Sequence, residues 1–272
     1  MDNTAFLFSG TAAQNYENFL GPILFEPYAQ DMASRIDPSK AGRVLEVAAG
    51  TGRVTKPLRD RMRPDAVLCA TDINADMLAV AEQKLRNTKV QFSLADAQDL
   101  PFDTNSFDYV VCQFGVMFLP DKQLGFKEAF RVLKPGGQFL FNTWDRTSQM
   151  PVLKIIFDDI LLPFLNENDV PRLGVPFSMH DRSALMSLLD LAGFHNSKIE
   201  NVGLASVAYP QDIVDGLLLK HSLGKEVAQK DSGALGALAA QMVEVITAQL
   251  GSPATCELSA WVGSGYKASG NE

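Results

Sequence analysis

The alternation of short apolar runs with helix-like segments between residues 43 and 144 restricts the fold more than any other feature. Each run is apolar almost without interruption, which is typical of strands covered on both faces. The runs are RVLEVA (43–48), AVLCAT (66–71), KVQFSL (89–94), FDYVVCQF (107–114) and QFLFNTW (138–144). Strands that alternate with helices in this way predict βαβ units and a parallel sheet.

Capping and turn residues indicate where the intervening helices begin and end. We expect a helix to start close to Val54, because Pro57 is tolerated only in the first turn of a helix. Asn74 is a favourable N-cap for the next helix. The sequence KPGG at 134–137 predicts a turn that leads into the fifth strand.

Beyond Trp144 the strict alternation ends, and residues 1–40 also lie outside it. The pattern predicts helices over 1–40, 181–193 and 210–250, strands over 194–204 and 255–266, and an irregular apolar stretch over 146–180. We find no internal repeat and no linker, so one domain with helical additions is the expected organisation.

Charge and cysteine content narrow the function classes. The chain of 272 residues carries a net charge of −8, and its Lys and Arg residues are dispersed. This distribution argues against a nucleic-acid partner, which would need a basic patch. Cys69, Cys112 and Cys256 lie far apart in apolar runs, so we expect buried, inert thiols in a reducing compartment. The three histidines and these cysteines show no metal-ligand spacing.

The amino-terminal sequence MDNTAFLFSG is acidic and lacks the basic region of a secretion signal. No apolar run reaches the length of a membrane span. We therefore expect a cytoplasmic protein without integral membrane association, and a homodimer is left open.

Three acids mark the ends of successive early strands. Glu46 lies in the first run, Asp72 follows the second, and Asp96 follows the third. The carboxyl ends of the strands of a doubly wound sheet border one crevice, so we expect these acids to face the same ligand. Gly50 and Gly52 lie in the loop after the first run, where small residues let the backbone approach that ligand.

The position of Glu46 discriminates between cofactors. A carboxylate beside the glycine loop would repel a dinucleotide's pyrophosphate, whereas it suits a cationic amino-acid tail. S-adenosylmethionine carries an ammonium and a sulfonium group there. Asp72 would accept hydrogen bonds from both ribose hydroxyls, and Asp96 from the exocyclic amine of adenine.

Five motifs together carry a family resemblance. They are VLEVAAGTG (44–52), ATDINADML (70–78), LADAQDLPF (94–102), FDYVVCQFGVMFLPD (107–121) and EAFRVLKPGGQFLFNTW (128–144). In this order and spacing the chain resembles the class I S-adenosylmethionine-dependent methyltransferases (methyltransferase type 11), especially the branch of ubiquinone/menaquinone biosynthesis C-methyltransferases. One departure is Ala48, where the family usually has its first glycine, and the added methyl should narrow the loop slightly.

The resemblance implies an α/β, Rossmann-like, doubly wound sheet of seven mostly parallel strands, with an antiparallel last strand and helical lid insertions. It implies a single methyltransferase domain over 1–272. The expected parts are an amino-terminal helical lid (1–40), a cofactor-binding core (41–145), substrate-lid insertions (146–185 and 208–252) and closing strands (194–206 and 254–267). The cofactor is S-adenosyl-L-methionine, with S-adenosyl-L-homocysteine as product. The cofactor-binding residues would be Glu46, Ala48, Gly50, Thr51, Gly52, Asp72, Ile73, Met77, Asp96, Ala97, Gln113 and Phe114.

Catalytic groups are less constrained, because methyl transfer depends on positioning and needs a base only when the acceptor must lose a proton. His180 is a candidate base, although Asp181 beside it also suits a helix cap. Tyr16 is a candidate aromatic contact over the cofactor, or a core residue. His221 is a weaker candidate, and His195 is expected to be structural. The apolar lid segments favour a small aromatic or lipophilic acceptor.

Two alternatives remain at this level. The sequence GTGRVT carries two of the three glycines of a dinucleotide-binding loop, and Asp72 follows at a compatible distance, which would suit a nicotinamide-dependent oxidoreductase. The third possibility is a cofactor-binding homologue without turnover, since fold does not dictate activity.

Overall fold

The computed structural model describes residues 11–165 and 173–269. Seven strands form one sheet in the order β3-β2-β1-β4-β5-β7-β6. Strands β1 to β5 run parallel, and β7 is antiparallel to both of its neighbours. The strands are β1 (Arg43–Val47), β2 (Val67–Asp72), β3 (Val90–Leu94), β4 (Phe107–Gln113), β5 (Leu133–Trp144), β6 (His195–Ala208) and β7 (Ala254–Tyr266). The implied seven-stranded sheet with an antiparallel last strand is confirmed.

Helices cover both faces of the sheet. The α-helices are α1 (Thr11–Asn15), α2 (Glu26–Ser34), α3 (Thr55–Arg61), α4 (Ala75–Leu85), α5 (Lys122–Val132), α6 (Pro151–Leu153), α7 (Leu162–Phe164), α8 (Arg182–Ala192), α9 (Pro210–Val214), α10 (Ser222–Lys230) and α11 (Ala234–Leu250). Three π-helical segments, Tyr16–Phe25, Lys154–Leu161 and Asp215–Leu219, continue neighbouring helices, and single 3-10 turns occupy Val116–Phe118, Thr147–Gln149 and Val175–Phe177.

Side-chain alternation along the central strands divides the core in two. Val44 packs in a cluster with α2 and α3, whereas its neighbour Leu45 belongs to the larger cluster that contains residues of α5, α8 and α11. This is the period-2 alternation of a strand whose two faces are both buried. The described thiols of Cys69, Cys112 and Cys256 are free and buried, as expected.

The edge strand β3 departs from the prediction that each of the five runs is covered on both faces. Leu94 is 57% exposed, and most residues of β3 are partly or fully exposed. The reason is topological, because β3 pairs only with β2 and ends the sheet. Composition alone did not distinguish this edge strand from the central ones.

Element bounds differ from the expectations in four further places. Residues 151–164, within the stretch expected to be irregular, form consecutive helical segments. The fifth strand begins at Leu133 and passes through the KPGG sequence with a register shift, so the turn lies within the strand rather than before it. Strand β6 continues to Ala208, because it pairs with β7 along that length. The predicted helix over 210–250 is divided into several helices, with a break where His221 caps α10.

Other local predictions are confirmed. Asn74 accepts hydrogen bonds from the backbone N–H groups of Asp76 and Met77 and so caps α4. Asp181 caps α8 in the same way, and Gly193 ends it in the left-handed conformation. Helix α3 begins at Thr55, one residue after the predicted start. Among the described residues no helix has the length and apolarity to cross a membrane.

Two glycines in the antiparallel part of the sheet give a matched test of packing. A Cβ added at Gly263 would lie 2.3 Å from the ring of Phe141, whereas one at Gly203 has its nearest neighbour at 3.9 Å. We expect Gly263→Ala to lower the free energy of unfolding by about 1–3 kcal/mol through overpacking. Gly203→Ala should leave it unchanged or raise it slightly. Urea unfolding of both variants measures the difference, and equal stabilities would contradict the packing of β7 against β5.

Candidate active site

A cavity of about 340 Å³ lies at the carboxyl ends of β1, β2 and β4. Its volume is within the range of small-molecule sites, roughly 300–1,000 Å³. The strand ends and the loops that follow them form one side. Residues from the amino-terminal helical segment, from 153–177 and from 217–226 form the other.

Most of the residues predicted to bind the cofactor line this cavity. They are Ala48, Gly50, Asp72, Ile73, Met77, Asp96, Ala97, Gln113 and Phe114, and Tyr16 lines it as well. The lining does not include Glu46, Thr51, Gly52 or His180. The lining also includes four residues that were not predicted as site residues, namely Trp144, Asn74, Gln98 and Glu226. The position of Trp144 at the end of a parallel strand was the available signal.

Asp72 organises the strand ends. Its carboxylate accepts a hydrogen bond from the backbone N–H of Gly50 at 2.7 Å and another from Asn74 at 2.8 Å, one on each oxygen. Burial raises the pKa of Asp72 above its usual value, although these N–H groups oppose the rise. Each carboxylate oxygen keeps acceptor capacity in the cavity. This arrangement fits a ligand that presents a pair of hydroxyl donors.

Glu46 lies behind the glycine loop and is only 2% exposed. Its Oε2 atom has no hydrogen-bond partner. Burial, together with the negative charge of the nearby Asp72, raises the pKa of Glu46 to about 8. An orphaned, buried carboxylate oxygen of this kind fits a cationic group, whose charge would favour the ionised form.

Ala48 adopts a conformation that favours glycine. Its φ is +52°, in the left-handed region that residues with a Cβ rarely enter. The methyl group points towards Gly115, where an added Cβ would lie 2.5 Å from it. The departure at Ala48 is therefore accommodated by a glycine at the end of β4, and both residues line the cavity.

Phe114 is a second residue in the left-handed region, with φ at +51°. The side chain of Asn142 accepts a hydrogen bond from its backbone N–H at 2.8 Å. Its ring stacks on Trp144 with a centroid distance of 3.8 Å, and Phe25 packs against both rings. Strained residues of this kind concentrate at binding sites, where the surrounding contacts hold them in place.

Asp96 and Gln113 have defined hydrogen-bond partners. The carboxylate of Asp96 accepts from the backbone N–H of Gln98 at 2.8 Å, and the side chain of Gln98 accepts in turn from the N–H of Asp121. Gln113 donates to the carbonyl of Phe25 at 3.3 Å, and its buried Oε1 atom has no partner. That oxygen is a further acceptor at the end of β4.

The histidines differ in their relation to the cavity. His180 Nδ1 lies 2.6 Å from the carbonyl oxygen of Phe177, which places the ring proton on Nδ1. His221 lines the cavity together with Glu226. The backbone N–H of Leu223 donates to Nδ1 of His221 at 3.3 Å, so a neutral His221 carries its proton on Nε2. It is then a hydrogen-bond donor at that atom.

Comparison with known proteins identifies the family. The sequence profile described as "Methyltransferase domain" matches residues 45–141. The demethylmenaquinone methyltransferase of Staphylococcus carnosus is 32% identical over 204 residues, which cover 69% of this chain and 83% of that protein. This chain belongs to the class I S-adenosylmethionine-dependent methyltransferases.

Other relatives are named as ubiquinone/menaquinone biosynthesis C-methyltransferases. The ubiquinone/menaquinone biosynthesis C-methyltransferase UbiE of Saccharophagus degradans is 32% identical over 173 residues, covering 59% of this chain and 70% of that protein. Phosphoethanolamine N-methyltransferase 2 of Haemonchus contortus, solved with phosphomonomethylethanolamine and S-adenosylhomocysteine, has a TM-score of 0.62 at 18% identity. The structural match covers 97% of this chain and 59% of that chain, and it shows a shared fold. The alternative of a nicotinamide-dependent oxidoreductase is not supported.

The raised pKa of Glu46 predicts how the stability of the methyltransferase depends on pH. Between the unfolded value near 4.5 and the folded value near 8, the unfolded chain loses the Glu46 proton first, so stability falls as pH rises. Glu46→Gln removes the titrating group, so the variant does not lose this stability as pH rises. Relative to wild type, the variant should gain on the order of 1 kcal/mol per pH unit across that window. Urea unfolding of the ligand-free proteins at pH 5, 6, 7 and 8 measures it.

The exposed Glu257 provides a control in another strand. Glu257→Gln should follow the wild-type pH profile. Parallel profiles for wild type and Glu46→Gln would show that the Glu46 carboxyl titrates normally.

Proposed function

We propose that this methyltransferase moves the methyl group of S-adenosylmethionine to a ring carbon of a small, lipophilic aromatic acceptor of the quinol type, and that this carbon then releases its proton. The observation that carries the proposal is the division of one cavity into two chemically different sides. Acids and amides occupy the strand ends, whereas the helical walls are almost entirely apolar.

The side formed by the strand ends suits the cofactor. Asp72 would hold the ribose hydroxyls, with Ile73 and Met77 against the adenine and with Asp96 and Ala97 at its edge. The loop residues Ala48, Gly50, Thr51 and Gly52 would allow close backbone approach, and Gln113 and Phe114 would face the amino-acid tail. When bound, S-adenosylmethionine supplies an electrophilic methyl group on a sulfonium, and S-adenosylhomocysteine is the product.

Glu46 would act on the cofactor through its charge. Its orphaned oxygen and its raised pKa mean that a cation near the glycine loop stabilises the ionised carboxylate. A cationic ligand would then bind with release of a proton near neutral pH, because the pKa of Glu46 falls as the positive charge approaches.

The helical walls suit the acceptor. Leu153, Phe157, Phe177 and Leu217 are among the apolar residues that these segments contribute to the lining. Within the described parts of 146–185 and 208–252, His221 and Glu226 are the polar residues of the lining. A flat, mostly apolar ring with few polar substituents would match this wall, with one of its oxygens against His221.

The relatives' names point to the same acceptor chemistry, since they are named for menaquinone and ubiquinone biosynthesis. An electrophilic methyl group needs an electron-rich carbon. A reduced quinone supplies one, whereas the oxidised ring is itself electrophilic. We therefore expect the reduced form of the acceptor to be the substrate.

The two candidate catalytic residues, Tyr16 and His180, would have different roles. Burial raises the pKa of Tyr16 well above its usual range, so its hydroxyl stays protonated and positions rather than abstracts. His180 lies outside the lining, and its role as base remains a prediction. The expected small-molecule partner, a cytoplasmic location and a homodimer likewise remain predictions.

A methylation assay tests this function. Radiolabelled S-adenosylmethionine is incubated with the protein and a short-chain demethylmenaquinone or demethylated ubiquinone precursor, each in its reduced and oxidised forms. We expect label in the reduced ring only. His221→Ala should raise the KM for the acceptor about tenfold, the effect of one lost hydrogen bond, and leave cofactor affinity unchanged. The matched His195→Ala, on the far strand β6, should behave as wild type.

The outcomes separate the alternatives. Label in a polar amine or in no member of the panel, despite cofactor binding, would contradict the acceptor class. A His180→Ala variant with a lowered kcat and an unaltered cofactor affinity would assign the base to His180.

A further inference from the structure

A cluster of charged side chains joins the amino-terminal helical segment to the glycine loop. Glu17 lies at its centre. Its Oε2 atom accepts a hydrogen bond from the Thr51 hydroxyl at 2.6 Å and lies 2.9 Å from the Arg53 guanidinium. Its Oε1 atom lies 2.9 Å from the Lys84 ammonium. One carboxylate thereby contacts the loop after β1, the residue that follows the loop, and helix α4.

Arg53 extends these contacts along the π-helical segment Tyr16–Phe25. Its guanidinium donates to the backbone carbonyl of Glu17 at 2.7 Å and to the carboxylate of Glu26 at 3.0 Å. Between these points it lies directly on Gly21, where an added Cβ would be 2.1 Å from a guanidinium nitrogen. A side chain at position 21 would displace Arg53, so the absence of one is part of the contact.

The elements that this cluster joins carry the cavity lining. Tyr16, Leu20, Leu24 and Phe25 belong to the amino-terminal segment, and Gly50 belongs to the loop. The opposite side of the segment is held differently, since Ser206 donates to the carbonyl of Ile23 at 2.7 Å. The charged contacts are thus on the side that faces the glycine loop and α4, and the neutral one is on the side that faces β6.

The cluster is partly withdrawn from solvent. The side chains of Glu17 and Arg53 are 15% and 14% exposed. At such a position removal of one partner leaves the others poorly compensated. Salt weakens the attraction at molar concentration, where the Debye length of about 3 Å is comparable with the contact distances. Because segments that move to admit ligands are held by few and breakable contacts, a charged cluster suits a reversible closure.

We propose that Glu17 is a positioning residue that fastens the amino-terminal segment over the cofactor loop and so sets how long the cofactor stays bound. Glu17 does not touch the reacting atoms. It acts through Thr51 and Arg53, and its loss frees the segment to open. The identity of the retained ligand rests on the proposed function, whereas the fastening itself does not.

Hydrogen exchange in the ligand-free protein tests the fastening. We expect Glu17→Gln to speed exchange of the amides of Tyr16–Phe25 at least tenfold and to leave those of β1 and β4 unchanged. Glu82→Gln, an exposed carboxylate on the same helix as Lys84, is the matched control and should match wild type. Unchanged exchange in the segment would overturn the proposal.

Ligand release gives the second readout. S-adenosylhomocysteine should leave Glu17→Gln about tenfold faster than it leaves wild type or Glu82→Gln. Equal release rates, with S-adenosylhomocysteine bound by all three proteins, would also overturn the proposal. If wild type does not bind S-adenosylhomocysteine, the proposed function fails, and the exchange experiment still decides the role of Glu17.

If Glu17→Gln does not fold, hydrogen exchange of the wild-type protein at increasing salt concentration provides the same test. Raising sodium chloride from 0.05 to 1 M shortens the Debye length from roughly 14 Å to 3 Å. Exchange of Tyr16–Phe25 should then rise while β1 and β4 stay protected. Salt-independent exchange of the segment would contradict an ionic closure.

Discussion

The hydrogen bonds between the Asp72 carboxylate and two backbone N–H groups hold the candidate site together. One oxygen accepts a hydrogen bond from the N–H of Gly50 in the loop after β1, and the other accepts one from the N–H of Asn74 at the start of α4. A carboxylate that is only 8% exposed must satisfy its oxygens locally. The position of the glycine loop, the start of α4 and the acceptor surface of the cavity therefore depend on one side chain.

Strain and unsatisfied groups concentrate at the same edge of the sheet. Ala48 and Phe114 both adopt left-handed conformations, at the ends of two adjacent strands. Glu46 and Gln113 each keep a buried oxygen without a partner. Such features destabilise a fold unless the surrounding packing compensates for them, and they indicate a site prepared for a ligand. The charged contacts of Glu17 lie beside these strained and unsatisfied groups, and they join the amino-terminal segment to the glycine loop.

The side of the candidate site that is formed by the strand ends could be predicted from the sequence because its signals are local. Apolar runs with acids at their ends place Asp72 and Asp96 at one edge of a parallel sheet, and the glycines after β1 identify the loop that donates a hydrogen bond to Asp72. The features that could not be predicted depend on tertiary contacts. The exposure of β3 follows from its place at the edge, and the extension of β6 to Ala208 follows from pairing with β7. Both are long-range facts that a local pattern does not contain.

The helical walls show the same limit. Their residues were expected to be apolar, but which of them reach the cavity depends on how π-helical turns rotate each segment. His221 lines the cavity while His180 does not, although neither has a distinguishing sequence context. Trp144 was visible only as the last residue of a strand, and its stacking on Phe114 needed the left-handed turn there. Substrate recognition is therefore the part of the function least accessible to sequence reasoning.

Calorimetric titration of the ligand-free protein with S-adenosylhomocysteine, alongside NADH, tests whether Asp72 and the strand ends bind an S-adenosylmethionine-type cofactor. We expect binding of S-adenosylhomocysteine alone, weakened by about 1.5–3 kcal/mol in Asp72→Ala, with Asp65→Ala, an exposed acid, as the control. Binding of NADH alone, or an affinity for S-adenosylhomocysteine that ignores Asp72, would contradict it.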